Sequence, residues 1–479
     1  MTLVAGIDSS TQSCKVEIRD LATGALVRSG KAAHPKATIV DPQAWWQALL
    51  LAVERAGGLN GVSAVSVAGQ QHTPVFLDAE GQVVCDSPLW NDIGSHPHME
   101  ALNAELGADE WVRRTGLPIT LSDTVVKLRW LRDTDPASAA RTHAVAVVHD
   151  WLTWRLLGYD GGGDHVNRLV TDRSEASGTG YWSGETGAYC PDLLELALGK
   201  SAVVPEVLGP HDKAGVTGTG MPGIPAGIVV GPGSGDNAAA ALALHLRDGD
   251  AVMSLGTSGV VYARSARPVH DYSGVVCSYA DATGEHLPIA AALSAARTLD
   301  AAIQLLGGTH DEMSDLAMAA PPGAEGLTLL PFFEGERTPN LPDARGSVLG
   351  ASLTNFTRPN LARAAIEGMV ATQVEMVEAI RRCGVPMDRL LLIGGGARGE
   401  AVLTVVAQMV DVPLIVPEPG EYAARGAAVQ AAGALTGAFA GWPPVMLNVA
   451  AVPVEPVILA QHRAAKAALG YPVGAARMP

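Results

Sequence analysis

Two stretches of this chain set a carboxylate beside glycines and hydroxyls, the residue types that phosphoryl transfer uses. In residues 229–262, VVGPGSGDNAAAALALHLRDGDAVMSLGTSGVVY, Gly231, Gly233 and Gly235 lead into Asp236 and Asn237, and Gly256-Thr257-Ser258-Gly259 follows a short apolar run. Glycine permits left-handed dihedrals and close approach of the backbone to a ligand. Asp236 stands where a helix over 238–246 would begin, and a helix N-terminus favours the ionised carboxylate. As a catalytic base it would take a proton from a substrate hydroxyl and line that oxygen up with phosphorus, a task in which positioning outweighs base strength. The plain alternative is a helix N-cap. Gly256 and Thr257 offer backbone N–H groups and a hydroxyl to a phosphate nest, or else make a tight hairpin.

The other stretch is GIDSSTQSCK, where Asp8 stops an apolar strand and is followed by Ser9, Ser10, Thr11 and Ser13. Magnesium keeps most of its waters and takes one or two carboxylates plus phosphate oxygens, so a lone acid beside hydroxyls suits it. A capped turn is the structural alternative. Lys15 either lends positive charge or is a solvated strand residue. A further run, Gly394-Gly395-Gly396-Ala397-Arg398-Gly399, satisfies G-x-G-x-x-G, follows a strand and opens a helix, with Glu418 beyond the next strand. It suits either a dinucleotide turn, and with it an NAD-dependent polyol dehydrogenase, or close backbone approach to adenosine. Gln71 and His72 end another strand. With Trp90, Asn91 and Asp92 they offer donors, acceptors and an aromatic face to a polyhydroxylated substrate, although an ordinary loop histidine would read the same way.

The elements that must position these residues follow from periodicity. Apolar runs at 3–7 and 14–18 make strand, polar turn, strand, and 62–67 makes a buried strand ending at Gly69. Asp41-Pro42 opens a helix carrying Trp45, Trp46, Leu49, Leu50 and Val53 at helical spacing. Residues 75–77 and 83–84 flank DAEGQ as a hairpin. From 229 the N-terminal pattern returns, with strands at 251–255, 260–263 and 390–393 and a long helix at 359–383, so two halves of similar plan are expected, divided between 242 and 250. The last forty residues carry no motif and include a terminal helix near 459–469.

A chain of 479 residues with 48% apolar content can bury a large core and divide into two or more domains. A net charge of −16 argues against nucleic acid or an anionic membrane as partner, though not against a nucleotide carried with magnesium. Cys14, Cys85, Cys190, Cys277 and Cys383 are odd in number and never in a Cys-x-x-Cys pair, which indicates neither a disulfide framework nor a zinc site. No apolar run approaches the roughly 18 residues of a membrane span, and the chain opens without a basic region. A cytoplasmic, soluble protein is expected.

Eight segments then occur in one order: GIDSSTQSCK at 6–15, AGQQHTPVFLD at 68–78, LWND at 89–92, GDNAAAALAL at 235–244, SLGTSG at 254–259, EGERTPN at 334–340, IEGM at 366–369 and LIGGGAR at 392–398. On them the chain resembles the FGGY carbohydrate kinases over nearly its whole length, most of all the members acting on D-xylulose. The resemblance implies an α/β fold of two actin-like ATPase (ribonuclease H-like) domains with an interdomain catalytic cleft. Residues 1–245 would carry sugar binding, the base and the first phosphate loop, and residues 246–479 ATP binding. It implies transfer of the γ-phosphate of ATP, with Mg2+, to a ketopentose, D-xylulose first, in xylose catabolism; another ketose or a polyol is the alternative, and an actin-like regulator without transfer activity a further one. By position, Asp236 matches the base and a sugar contact, and Gln71, His72, Trp90 and Asn237 match sugar contacts. Asp8 matches the metal residue, Thr11 the first phosphate loop, Gly256 and Thr257 the second, and Gly395, Gly396 and Ala397 the adenosine loop. Gln71 stands where a methionine is usual and Thr73 where a glycine is. A homodimer is expected by family analogy.

Overall fold

The computed structural model describes residues 1–161 and 165–473. Its first strand, Leu3–Ser9, is buried along its whole length, as a near-continuous apolar run covered on both faces must be. It pairs antiparallel with Ser13–Asp20, Asp8 opposite Lys15, and parallel with Val62–Gly69, Asp8 opposite Ala68. Leu26–Ala33 extends the sheet beyond Ser13–Asp20. On the other side Val229–Val230 runs parallel to Val62–Gly69, and Ser234–Gly235 pairs with its last two residues. Asp8, Gly69 and Gly235 therefore meet at the carboxyl ends of parallel strands, where open α/β sheets bind ligands.

Strand alternation decides what covers each face. Ile7, Val65 and Val67 share a core with Trp45, Leu49 and Val53 of the helix Pro42–Arg55. That helix starts where Asp41-Pro42 predicts, with Asp41 accepting the Gln43 N–H at 2.9 Å. Gly6 and Ser66 have the opposite parity and meet the helix Tyr422–Thr436: a Cβ on Gly6 would lie 1.9 Å from the Ala424 carbonyl oxygen, and Ser66 donates to Gln430 at 2.6 Å. The expected hairpin is present, with Asp78 donating to the Gln82 carbonyl at 2.9 Å, while the regular partner of Pro74–Leu77 is Ala144–Val147.

The second sheet repeats the plan of the first. Asp250–Leu255, Gly259–Ala263 and His286–Ala292 run antiparallel in turn, and Arg389–Ile393 then Leu414–Pro417 add in parallel beside Asp250–Leu255. The long helix is Arg358–Arg382, and its Ala365, Met369, Val370, Val374 and Val377 lie in the core of this unit. The glycine run at 394 joins strand to helix as expected: Gly395–Arg398 forms a 3-10 turn and the helix is Glu400–Met409. That turn and the antiparallel half of the sheet remove a doubly wound dinucleotide domain as the explanation of G-x-G-x-x-G.

By packing, the chain forms one unit from Met1–Leu246, Ser278–His286 and Gly420–Pro444, and another from Arg247–Cys277, Leu287–Pro419 and Val445–Pro479. The terminal helix is Pro456–Ala468, held by Lys466 donating to Glu375; residues 474–479 lie outside the described residues. Among the described residues no helix is long and apolar enough to cross a membrane.

Candidate active site

Asp236 opens the helix Asp236–Ala243, but it is not the N-cap that its sequence context predicts. Pairing of Ser234–Gly235 with Ala68–Gly69 carries extended backbone one residue further, so Gly235 takes the cap position at φ −66 and ψ 152. The Asp236 carboxylate instead accepts from the Asn237 N–H at 2.8 Å and the Asn237 side-chain amide at 3.1 Å. Nor does the helix start decide its ionisation. Crowding by protein atoms and, next, the charge of Asp8 push its carboxyl up to about 7, although part of the residue stays accessible. A carboxyl titrating near neutrality is poised to accept a proton.

Asp8 is 2% exposed at the end of the first strand. The Ser10 hydroxyl donates to one of its oxygens, and Lys15 donates to the other at 3.3 Å. Burial raises the Asp8 carboxyl, with Lys15 and Ser10 opposing. Burial would lower Lys15, but Asp8 and Glu421, the latter at 2.8 Å, outweigh it and hold the ammonium above its ordinary value. Lys15 is thus the counter-charge of the site and not a solvated strand residue.

The residues expected at the sugar gather in the same unit. His72 adopts φ 73, the left-handed region that a histidine enters only under constraint. The constraint is visible: its Nδ1 lies 2.8 Å from the Gly178 carbonyl and 3.4 Å from Asp123, and Thr124 donates to its carbonyl at 2.8 Å. The Gln71 amide donates to the Ser174 carbonyl at 3.1 Å, and its side chain lies against Gly235, where a Cβ would approach it to 2.8 Å. Trp90 donates through Nε1 to the Thr11 hydroxyl at 2.8 Å and through its backbone to Thr73 at 3.1 Å. Thr73 therefore holds the LWND segment.

Three side chains that sequence reading passed over fix the loop before Asp236. Gln430 donates to the Gly233 carbonyl at 2.6 Å. The ring of His149 leaves no room for a side chain at Gly233, where a Cβ would lie 2.4 Å from it and φ is 87. Ser174 accepts from the Gly235 N–H at 2.9 Å. The only sequence signal was the excess of small residues in 423–434, which permits close helix packing.

In the other unit, Gly256 and Thr257 form the turn after Asp250–Leu255, and Gly395, Gly396 and Ala397 form the turn after its parallel neighbour Arg389–Ile393. The two turns are adjacent: a Cβ on Gly396 would lie 3.1 Å from the Leu255 side chain, and Ala296 donates to the Gly256 carbonyl at 3.1 Å. Among the described residues no group of three or more His, Cys, Asp or Glu forms a metal cluster.

The N-terminal domain of the FGGY family of carbohydrate kinases matches residues 3–243, and its C-terminal domain matches residues 251–435. A xylulose kinase of Streptomyces coelicolor is 42% identical over 94% of this chain and 92% of its own length. One of Haemophilus influenzae is 30% identical over 89% of each chain. The crystal structure of xylulose kinase from Bifidobacterium adolescentis superposes with a TM-score of 0.90 at 40% identity, covering 97% of this chain and 99% of that one.

Proposed function

Because the chain belongs to the FGGY family of carbohydrate kinases, we propose that it transfers the terminal phosphoryl group of ATP to D-xylulose, giving D-xylulose 5-phosphate and ADP. The substrate named for its relatives supports the sugar. The observation that carries the chemistry is the placement of Asp236 at the ligand end of the sheet that also carries Asp8, with its carboxyl pushed up to about 7. As the sugar oxygen bonds to phosphorus and the bond to ADP breaks, Asp236 accepts the hydroxyl proton. Asn237 steadies its carboxylate. Such a transfer rests on alignment and charge stabilisation, so side chains that hold the sugar matter as much as the base.

Gln71, His72 and Trp90 are assigned to the sugar, Thr11, Gly256 and Thr257 to the phosphates, and Gly395, Gly396 and Ala397 to adenosine. Asp8 suits Mg2+ held through water, since its buried carboxylate meets only one cation, Lys15, among the groups that perturb it. Magnesium needs few protein ligands, and when bound it supplies neutralisation of charge on the phosphoryl oxygens. None of the five cysteines forms a disulfide, which supports a reducing cytoplasm as the compartment. ADP release against a panel of ketopentoses, ketohexoses and polyols tests the reading. D-xylulose is expected to give the highest kcat/KM; a higher value for a hexulose or a polyol would overturn the substrate assignment.

A further inference from the structure

Ser174 lies outside every motif that suggested chemistry, yet it is fully buried and touches both halves of the sugar side of the site. Its hydroxyl has one proton to give and gives it to Asp172 at 2.7 Å; the same oxygen accepts the Gly235 N–H at 2.9 Å. Its carbonyl accepts the Gln71 amide at 3.1 Å. Gly235 is the residue before Asp236, so one serine grips the backbone of the base and the side chain beside the sugar. The serine is itself held. Asp172 caps its short helix, accepting the Ser174 N–H at 2.8 Å and the Glu175 N–H at 3.0 Å.

Behind Asp172 stands a buried ion set. His149 Nε2 lies 3.5 Å from Asp172 and Nδ1 2.6 Å from Asp150, whose other oxygen accepts the Val147 N–H at 2.8 Å. Burial works against charge on His149, but Asp150 and Asp172 outweigh it and push it up to about 10. Glu175 sits beside them with neither carboxyl oxygen hydrogen-bonded, and burial raises it well above its ordinary range. The same His149 ring presses on Gly233. A fixed charge pattern thus holds Asp172, Asp172 orients the Ser174 hydroxyl, and that hydroxyl sets the last turn of backbone before the base.

We propose that Ser174, oriented by Asp172 and His149, is a positioning residue that aims Asp236 and Gln71 together at the sugar. The proposal rests on the assignment of Asp236 and Gln71 given above. Displacing a reacting group by about an ångström can cost on the order of a hundredfold in rate, which sets the size of effect to look for.

The test is steady-state kinetics of Ser174→Ala, Ser174→Thr, Gln71→Ala and the Ser174→Ala/Gln71→Ala double variant, with Asp236→Ala alongside and folding checked by circular dichroism. Ser174→Ala is expected to lower kcat about 10- to 100-fold and raise the ketose KM, with the ATP KM within about twofold, by the misalignment argument. Ser174→Thr, which keeps the hydroxyl, should recover most of kcat. The rise in ketose KM of the double variant should be less than the product of the single effects, because the Ser174 hydroxyl holds Gly235, against which the Gln71 side chain packs. A merely structural serine would lower stability and leave the kinetics of the folded fraction native, which overturns the proposal, as does an equal rise in ATP KM. Should Ser174→Ala not fold, Asp172→Asn serves in its place, with the same split between ketose and ATP KM expected and native values contradictory. Full activity in Asp236→Ala would instead overturn the assignment of the base.

Discussion

Burial, and after it the charge of Asp8 at the same end of the sheet, sets the ionisation of Asp236. Its pKa of about 7 lies above the ordinary 3.8, so the ionised base is present above that pH and lost as pH falls through it. The pH profile of kcat/KM is therefore expected to show an acid limb of unit slope centred near 7; a flat profile down to pH 5 would contradict a base at that position. Residue type and local spacing pointed to Asp236 and Asp8, because a glycine-flanked acid and a serine-rich turn are readable within ten residues, while the roles of Asn237 and Thr11 followed only from the family resemblance. The left-handed backbone of His72 and the hydroxyl of Ser174 were not readable. Each is imposed by partners tens of residues away, Gly178 for the first and Gly235 for the second.

At the scale of elements, the strand starts, the Asp41-Pro42 helix and the long helix Arg358–Arg382 were legible because each carries its own period or cap. The cover of the first sheet was not. The helix Tyr422–Thr436 was not read from the sequence, and it packs on Gly6, Ser66 and the helix of Asp236. Its closest approach is at Gly426, where a Cβ would lie 1.8 Å from the Ala239 carbonyl oxygen. Alanine gains about 1 kcal/mol over glycine in helix propensity. A clash with backbone cannot be relieved by a rotamer, however, and overpacking costs about 1–3 kcal/mol or more. Gly426→Ala is thus expected to lower the urea midpoint and to reduce kcat by shifting the Asp236 helix. An unchanged midpoint with native kcat would mean that the two helices can part without cost.

Across the whole molecule, two sheets share one plan: the first strand of each ends in a small polar turn, Ser10-Thr11 after Leu3–Ser9 and Gly256-Thr257 after Asp250–Leu255. The sequence showed the repeat because the strand, polar turn, strand pattern recurs at 251–263. It did not show that the chain returns to its first unit at 278–286 and 420–444, since such returns leave no local mark. Family membership and the mixed sheets agree in setting the dehydrogenase aside. The central claim is that this kinase uses Asp236 to accept the sugar proton. ADP release with saturating D-xylulose and MgATP, compared between the native chain and Asp236→Ala, tests it most directly. Turnover is predicted to fall by about two to four orders of magnitude, as loss of a general base does, with ATP binding retained; native turnover in that variant would contradict the account.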